Sequence, residues 1–554
     1  MTGQYSKDLK TKSVCGGDAR RRFRRPLRHF CRVLFRRSVL IVGAASLVTS
    51  LLINSRIDYP LPRVHDEFSY LLAADTFAHG RLTNPPHPMW EHFETFHVLQ
   101  QPTYASKYPV GQGLILALGG VLLGHPFYGV CFSVALMSAG VCWMLRGIMP
   151  ARWGLFGGFM VIVLYGCSSY WARSYWGGAM AGLGGALAYG GFFRLMRRVR
   201  IFPAVIGGIG LAILANTRPY EGLLAVAPLV CVGLWKMLRQ DRAGRLCWLR
   251  RAVLPVALIM TVTVAGMAYY NYRVTGNPLC MPYALYTAQY DPCAIFLFQP
   301  PHPPPPYRHE IMRSFGELYS QADRINRTYA GFVDKTWNGL RDYRRFYAPT
   351  YLLLGPMLAL PWILRRRWAW FAVVTTLVVL AGSVLCNAMW PHYVAPATGL
   401  VVLLYAMGAR CWGLIRVGRL PLGKWLVLLF CAGMILYQAT HSARVFGRGQ
   451  LAWGLKRANV QAELENQCAL GLDPEGRNKA LVIVRYDDAH SPHNEWVYNR
   501  ADIDQSPVVW AHDMGPLKNQ ELLDYFHDRK CWLLWVTTKE DRSTTTIEPY
   551  VRGS

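Results

Sequence analysis

An adjacent pair of acids, Asp66 and Glu67, follows His65 in the stretch RVHDEFSYLL, shortly after an apolar run. Two basic residues, Lys107 in YASKYP and Arg218 in NTRPYEG, stand in later short polar stretches between apolar runs. A fixed carboxylate can accept a proton from an attacking hydroxyl group as a general base. Cations can neutralise the charge that develops on a leaving phosphate. These residue types therefore suit group transfer from a phosphate-linked donor.

Three further polar residues lie in the same kind of position: Glu221 in NTRPYEG, and His392 and Tyr393 in MWPHYVAP. We expect them to contact a donor phosphate or sugar. The alternative for Arg218 and Glu221 is an ion pair that only ties a turn between helices. The alternative for Lys107 is a surface lysine whose stem lies along apolar groups while its amine reaches water.

The elements that would position these residues are apolar runs of roughly the 17 to 25 residues that a bilayer helix needs. The chain has 554 residues, of which 52% are hydrophobic, and its mean hydropathy is +0.15. Its net charge of +28 would favour nucleic acid in a soluble protein. The cations, however, lie between apolar runs, as in RLMRRVR and RRRW. The sequence therefore predicts an α-helical polytopic membrane protein and argues against a nucleic-acid partner.

The positive-inside rule orients this protein with its N-terminus in the cytoplasm and its C-terminus outside. We expect about eleven spans, or twelve if the glycine-rich run at 108–124 crosses the membrane instead of being re-entrant or interfacial. The candidate residues then face the exterior, which is the periplasm if the membrane is a bacterial inner membrane. The predicted regions are a basic cytoplasmic segment (1–35), a transmembrane domain (36–444) with outer loops at 55–108 and 272–348, and an extracytoplasmic α/β domain (445–554).

The polar tail after the last span has the pattern of a small, partly parallel sheet with helices. Helical sequence in LKRANVQAELENQC precedes predicted strands at 480–486, 508–511 and 531–538, with a helix at 519–529 before the last strand. Two cysteine pairs lie in the segments assigned to the exterior, and each could form a disulfide. These pairs are Cys280 with Cys293 and Cys468 with Cys531.

A metal site is a further possibility in the loop HPMWEHFETFH. Its candidate ligands are His87, Glu91, His92, Glu94 and His97. Their spacing matches no standard zinc pattern, so we predict no metal ligands, although a divalent metal remains possible as a cofactor.

The acid pair also has a purely structural interpretation. The stretch DEFSYLLAADTFAHG is typical of an amphipathic helix with acids in its first turn and a glycine at its end. Acids there stabilise the N-terminus of the helix. The two interpretations are compatible, because such a helix would also hold a catalytic carboxylate rigidly.

The order of these motifs resembles the GT-C superfamily of polyprenyl-phosphate-dependent glycosyltransferases, particularly protein O-mannosyltransferases and aminoarabinose transferases. A basic start and one helix precede an outer loop with an acidic pair, here HDE. KYPVGQGLILAL is similar to the Tyr/Lys-Pro-Pro stretch of the family, with Val110 at the second proline. PHYVAP is similar to its Arg-Tyr-x-x-Pro helix start, with His392 replacing the arginine. The resemblance covers about residues 36–440.

The resemblance implies sugar transfer from a polyprenyl-phosphate donor, with inversion at the sugar carbon, to a lipid, glycan or protein acceptor. Asp66 would be the catalytic base, and Glu67 would position the acceptor or a metal. Two other functions stay open. One is a transporter or flippase for a lipid-linked saccharide, which would not need a rigid carboxylate pair. The other is a non-catalytic envelope scaffold whose tail binds a partner.

Overall fold

The computed structural model describes residues 35–447, 452–470, 477–539 and 542–551. The basic segment at 1–35 therefore lies almost entirely outside the described residues. Within them, helices predominate before residue 470. The helices before the long outer loop are α1 Ser38–Asn54, α2 His65–Ala78, α3 Val110–Leu123, α4 Phe127–Leu145, α5 Ala151–Tyr165, α6 Ala179–Leu195, α7 Ile201–Ala215, α8 Pro219–Leu238, α9 Arg242–Trp248 and α10 Leu254–Thr275.

The second half of the helical region begins with the loop expected at 272–348, which contains three helices. The proline run at 300–307 between the first and second of them has no helix or strand, as the sequence predicts. The helices from here on are α11 Pro282–Tyr290, α12 Glu310–Asn326, α13 Tyr329–Tyr347, α14 Leu354–Met357, α15 Leu360–Ile363, α16 Arg367–Val384, α17 Thr398–Trp412, α18 Leu422–Gly447, α19 Ala452–Ala469 and α20 Pro516–Tyr525.

Six helical stretches among the described residues are long and apolar enough to cross a membrane, and four more apolar helices are shorter. One of the six joins α9 to α10 through a π-helical turn at Leu249–Val253, and another joins the 3-10 turn Pro391–Ala397 to α17. Large apolar side chains on these helices point outward, such as Leu223 at 68% exposure and Val262 at 74%. An outward apolar face of this kind suits hydrocarbon surroundings. The number of spans and their orientation stay predictions.

The buried core of the helical region lies between α4, α5, α6 and α17. Small residues let these elements approach closely. A Cβ atom on Gly185 of α6 would collide with the carbonyl oxygen of Pro396, in the turn that carries His392. Close packing of α6 therefore fixes the position of that turn.

The tail forms a four-stranded sheet in the order β4-β3-β5-β6, with β3 Ala480–Tyr486, β4 Val508–His512, β5 Lys530–Lys539 and β6 Arg542–Pro549. β3 pairs in parallel with β4 and β5, whereas β5 pairs antiparallel with β6. The three predicted strands and the mixed character are confirmed. Helix α20 begins three residues earlier than predicted, with Pro516 in its first turn.

The sheet shares a core with the first outer loop. Leu481, Ile483 and Val509 of the sheet pack with Leu72 of α2 and with Phe93. Two short strands in that loop, β1 Val98–Leu99 and β2 Ala105–Ser106, pair antiparallel and bring its two ends together. The tail is therefore built directly onto the element that carries the acid pair.

The two possible disulfides are absent from the structure. Cys280 and Cys293 are free thiols. Cys468 and Cys531 direct their sulfur atoms to different backbone carbonyls, those of Pro507 and Arg529. Placement outside the membrane permits a disulfide, but only proximity in the fold produces one.

Candidate active site

The first turn of α2 presents the acid pair, as the sequence predicts. Val64 caps the helix in an extended conformation, and both acids lie in the first turn, where the helix dipole favours negative charge. The Asp66 side chain is 25% exposed. Its Oδ1 accepts a hydrogen bond from the hydroxyl of Tyr108, and its Oδ2 lies 3.8 Å from Nε2 of His97. Asp66 is therefore held from two sides and remains open on another.

Glu67 has a different environment, because its side chain is buried. Its two oxygens accept hydrogen bonds, each 2.9 Å long, from the backbone N–H groups of Arg63 and Tyr175. Burial raises the pKa of Glu67 to about 7, although these two N–H donors act against the rise. The carboxylate thus joins the start of α2 to the loop SYWARSYW. With both oxygens engaged by backbone, Glu67 is placed to hold structure more than to contact substrate.

Lys107 lies in a cage of tyrosine rings. Its Nζ is 4.5 Å from the ring centre of Tyr286, 4.6 Å from that of Tyr283 and 5.4 Å from that of Tyr108. Burial lowers the pKa of Lys107 to about 8, and the carboxylates of Asp291 and Asp66 oppose this decrease. The amine is thus a cation held by aromatic faces, and it is no snorkelling surface lysine.

Arg218 and Glu221 lie at the start of α8. Nη1 of Arg218 is 3.7 Å from Oε1 of Glu221, so the expected pair is present. The Arg218 side chain retains 18% exposure, and its guanidinium lies 5.3 Å from the ring centre of Tyr393. This geometry leaves the guanidinium with donors beyond its pairing to Glu221.

Tyr283 is affected by charges from both regions described above, the acids near Lys107 and the guanidinium of Arg218. Burial raises the pKa of its hydroxyl; the charges of Asp291 and Asp66 raise it further, and that of Arg218 lowers it. Tyr70, whose ring stacks on Tyr108 at 4.4 Å, is subject to the charges of both Arg218 and Asp66 as well. The backbone also joins the two regions, because the N–H of Gly111, shortly after Lys107, donates to the carbonyl of Asn216, shortly before Arg218, at 2.8 Å. These residues therefore form one site.

His392 lies at the side of this site, in an aromatic environment. Its Nδ1 is 3.1 Å from the hydroxyl of Tyr170, and its ring centre is 4.8 Å from that of Trp176. Burial raises the pKa of Tyr170, and the charge of Arg218 acts against this rise. Two residues of the SYWARSYW loop, Tyr170 and Trp176, thus contact His392.

The possible metal ligands in the first outer loop are dispersed. Nε2 of His87 is 3.0 Å from a carboxylate oxygen of Asp504, Nδ1 of His92 bonds to the carbonyl of His512, and Glu94 pairs with Arg308. Across the described ranges, no three His, Cys, Asp or Glu side chains converge on a possible metal position. These histidines instead attach the loop to the tail.

His97 is the residue of the site that sequence reasoning missed as a partner of Asp66. Its φ is +64°, in the left-handed region that costs a non-glycine residue about 1 kcal/mol or more. Its carbonyl accepts hydrogen bonds from the hydroxyl of Ser69 and the backbone N–H of Lys107, and its buried Nδ1 has no partner. Because a left-handed conformation depends on such tertiary contacts, no local pattern in FETFHVLQ could indicate it.

The fold is shared with a solved glycosyltransferase of the superfamily that the sequence motifs resemble. It is similar to the crystal structure of ArnT, an aminoarabinose transferase, from Cupriavidus metallidurans, with a TM-score of 0.50 and 14% identity over 94% of this chain and 98% of that chain. Identity this low shows the fold alone.

Weaker similarities are found to an archaeal enzyme. The Archaeoglobus fulgidus oligosaccharyltransferase with Zn and sulfate aligns with a TM-score of 0.47 and 11% identity, over 89% of this chain and 68% of that chain. The same organism's AglB with an inhibitory peptide and a dolichol-phosphate aligns with a TM-score of 0.45 and 10% identity, over 92% and 70%. No protein-family model and no curated protein matches the chain by sequence.

Proposed function

We propose that this protein is a membrane glycosyltransferase that moves a sugar from a polyprenyl-phosphate donor to an acceptor outside the cytoplasm. The observation that supports it best is the position of Asp66, a partly open carboxylate that accepts a hydrogen bond from Tyr108, whose ring also faces the amine of Lys107. The fold shared with ArnT agrees with this reaction class.

In the proposed reaction, Asp66 accepts the proton of an acceptor hydroxyl as its oxygen attacks the anomeric carbon. A bond forms between that oxygen and the sugar carbon, and the bond from the carbon to the phosphate oxygen breaks. The electron pair leaves with the polyprenyl phosphate. Lys107 and Arg218 neutralise the charge that grows on the phosphate. Attack from the opposite side inverts the sugar carbon.

Glu67, Glu221, His392 and Tyr393 take supporting roles in this proposal. Glu67 holds the first turn of α2 against the loop at Tyr175. Glu221 orients the guanidinium of Arg218, and Tyr393 lies beside it. His392 faces the sugar side as a neutral donor beside Trp176.

The proposal places residues 55–108, 272–348 and 445–554 on the outer side of the membrane, which in a bacterial inner membrane is the periplasmic side. Arginine-rich segments between the apolar helices then face the cytoplasm. Donor lipid would approach from the bilayer and the acceptor from the aqueous side, and the acid pair lies where the two meet.

The decisive experiment is Asp66→Asn in the full chain, assayed in membranes with radiolabelled polyprenyl-phosphate sugars. Loss of the general base should lower transfer by about 10²- to 10⁴-fold. Asp58→Asn, an exposed acid ahead of α2, is the matched control and should retain activity. Full transfer by the Asp66→Asn protein would refute the assignment, and undiminished movement of a lipid-linked saccharide across the membrane in that variant would favour a flippase.

A further inference from the structure

A cavity that does not include Asp66 lies between the loop before α3 and helices α11 and α12. It has a volume of about 200 Å³, which accommodates a single sugar ring. The first outer loop, the end of α11, the proline run and the start of α12 form its walls. Trp90, Glu94, Gln289, Tyr290, Tyr307 and Arg308 are among its lining residues.

The lining combines aromatic rings with planar polar groups. Trp90, Tyr290 and Tyr307 place aromatic rings in the lining, and the C–H groups of a pyranose can pack on such rings. Glu94 is almost fully buried, and its Oε1 accepts hydrogen bonds from the hydroxyl of Tyr290 at 3.0 Å and from Arg308 at 3.1 Å. A rigid wall of this composition suits a ligand with both apolar faces and hydroxyl groups.

An unused acceptor belongs to the same wall. The amide nitrogen of Gln289 donates to the carbonyl of Gln101 at 3.2 Å, whereas its amide oxygen is buried without a partner. An unpaired buried acceptor costs about 1–3 kcal/mol. A hydroxyl group of a ligand would remove that cost after a small side-chain shift.

The charges of the wall favour a neutral ligand. Arg308 is paired with both Glu94 and Glu91, at 3.1 and 3.5 Å, and its guanidinium packs on Trp90 at 4.7 Å. Its positive charge is therefore already compensated by two carboxylates. A phosphate or an acidic sugar would meet these carboxylates and be disfavoured.

The cavity is close to the reaction centre. Tyr290, in its wall, lies one helical turn from Tyr286, and their ring centres are 5.2 Å apart. Tyr286 in turn contacts the amine of Lys107. Two successive contacts, from Tyr290 to Tyr286 and from Tyr286 to the amine of Lys107, thus connect the wall of the cavity to the cation of the site.

We propose that this cavity binds a neutral sugar ring of a glycan acceptor and so holds the next hydroxyl near Asp66. The assignment of the ligand as an acceptor rests on the proposed transfer, whereas the binding of a sugar does not. Measurements of binding and of transfer therefore test the two ideas separately.

The test uses the full chain in lipid nanodiscs and a panel of neutral methyl glycosides of hexoses, pentoses and N-acetylhexosamines, with binding measured by saturation-transfer NMR. At least one glycoside should bind the wild type and the Asp66→Asn variant equally. Trp90→Ala and Gln289→Ala should each weaken binding about tenfold, whereas Trp90→Phe should retain most of it. Trp337→Ala, at a tryptophan of α13 that is 67% exposed, is the matched control and should bind normally.

Absence of binding by every glycoside, or unchanged binding by Trp90→Ala and Gln289→Ala, would overturn the sugar site while leaving the proposed transfer intact. If Trp90→Ala fails to fold, Gln289→Ala and Trp90→Phe still decide the result. Sugar binding combined with full transfer by Asp66→Asn would instead refute the transferase mechanism and retain the site.

Discussion

The two faces of helix α2 contact different parts of the molecule. One face, defined here as the site face, carries Asp66 and Tyr70, which are four residues apart and lie among the tyrosines of the candidate active site. The other, the tail face, carries His65, Phe68 and Asp75. The imidazole of His65 is 2.7 Å from the hydroxyl of Tyr498, and the ring of Phe68 stacks on that of Tyr498 at 4.1 Å.

The difference shows how a partly exposed carboxylate can be held in place. On the tail face His65 is buried against Tyr498, and Asp75 accepts a hydrogen bond from the backbone N–H of Ala501 at 2.7 Å. On the site face Asp66 keeps a quarter of its surface open. The C-terminal region thus anchors the helix from behind, so that its front can stay accessible without losing geometry.

The largest effect after loss of the base should come from the site face. Arg218→Gln removes the cation nearest Tyr393, and we expect transfer to fall about 10²-fold, as for loss of one charge-stabilising donor. Arg218→Lys should recover part of the activity. The rate of transfer by both variants is measured in membranes at saturating acceptor. Equal activity in the wild type and the glutamine variant would remove Arg218 from the site.

A smaller, pH-dependent effect should arise at Lys107. Burial lowers its pKa to about 8, so the amine loses its charge as the pH rises through 8. Wild-type transfer should therefore decrease above pH 8, by about tenfold at one unit higher. Lys107→Arg keeps the charge throughout this range. The arginine variant should show no such decrease in a transfer assay run from pH 6.5 to 9.5, and a parallel decrease in both proteins would contradict this role.

Many of the structural features that the two faces of α2 bring together could be predicted from the sequence. The helix with acids in its first turn and three strands of the tail follow from local patterns. The burial of Glu67 does not, because its partner Tyr175 lies 108 residues away. Strand β6 has no such local signal, because RSTTTIEP is polar and lacks the apolar alternation that marks a strand. Contacts with other parts of the fold therefore determine both the burial of Glu67 and the formation of strand β6.

Glu67 provides a test of stability as a function of pH. Its pKa is raised to about 7, above the ordinary value of 4.5, so it contributes stability below pH 4.5 that is lost as the pH rises through 7. Glu67→Gln lacks this titration and leaves one backbone N–H without its acceptor, at a cost of about 1–3 kcal/mol. The thermal unfolding midpoints of the wild type and of Glu67→Gln, measured by size-exclusion chromatography, should differ, and this difference should decrease from pH 5 to pH 8. A constant difference would argue against the raised pKa.

The smallest effect should come from the tail face. Tyr498→Phe keeps the stack on Phe68 but removes the bond to His65, and we expect a loss of about 1 kcal/mol of stability. Transfer should decrease only a few-fold, mainly in kcat, because the helix that carries Asp66 is held less firmly. Tyr525→Phe, at a tyrosine of α20 with a hydroxyl bond to Asp504, is the control. An equal change in both variants would show that the bond to His65 has no special role.

The contact between His65 and Tyr498 also has a consequence for biosynthesis. The two residues are 433 positions apart, so the ribosome makes helix α2 long before the residue that anchors it. Contacts of such separation form late in folding. A chain that stops before Tyr498 lacks this anchor, and its Asp66 is correspondingly less well placed. The placement of Asp66 thus depends in part on a residue that the ribosome adds long after the helix itself.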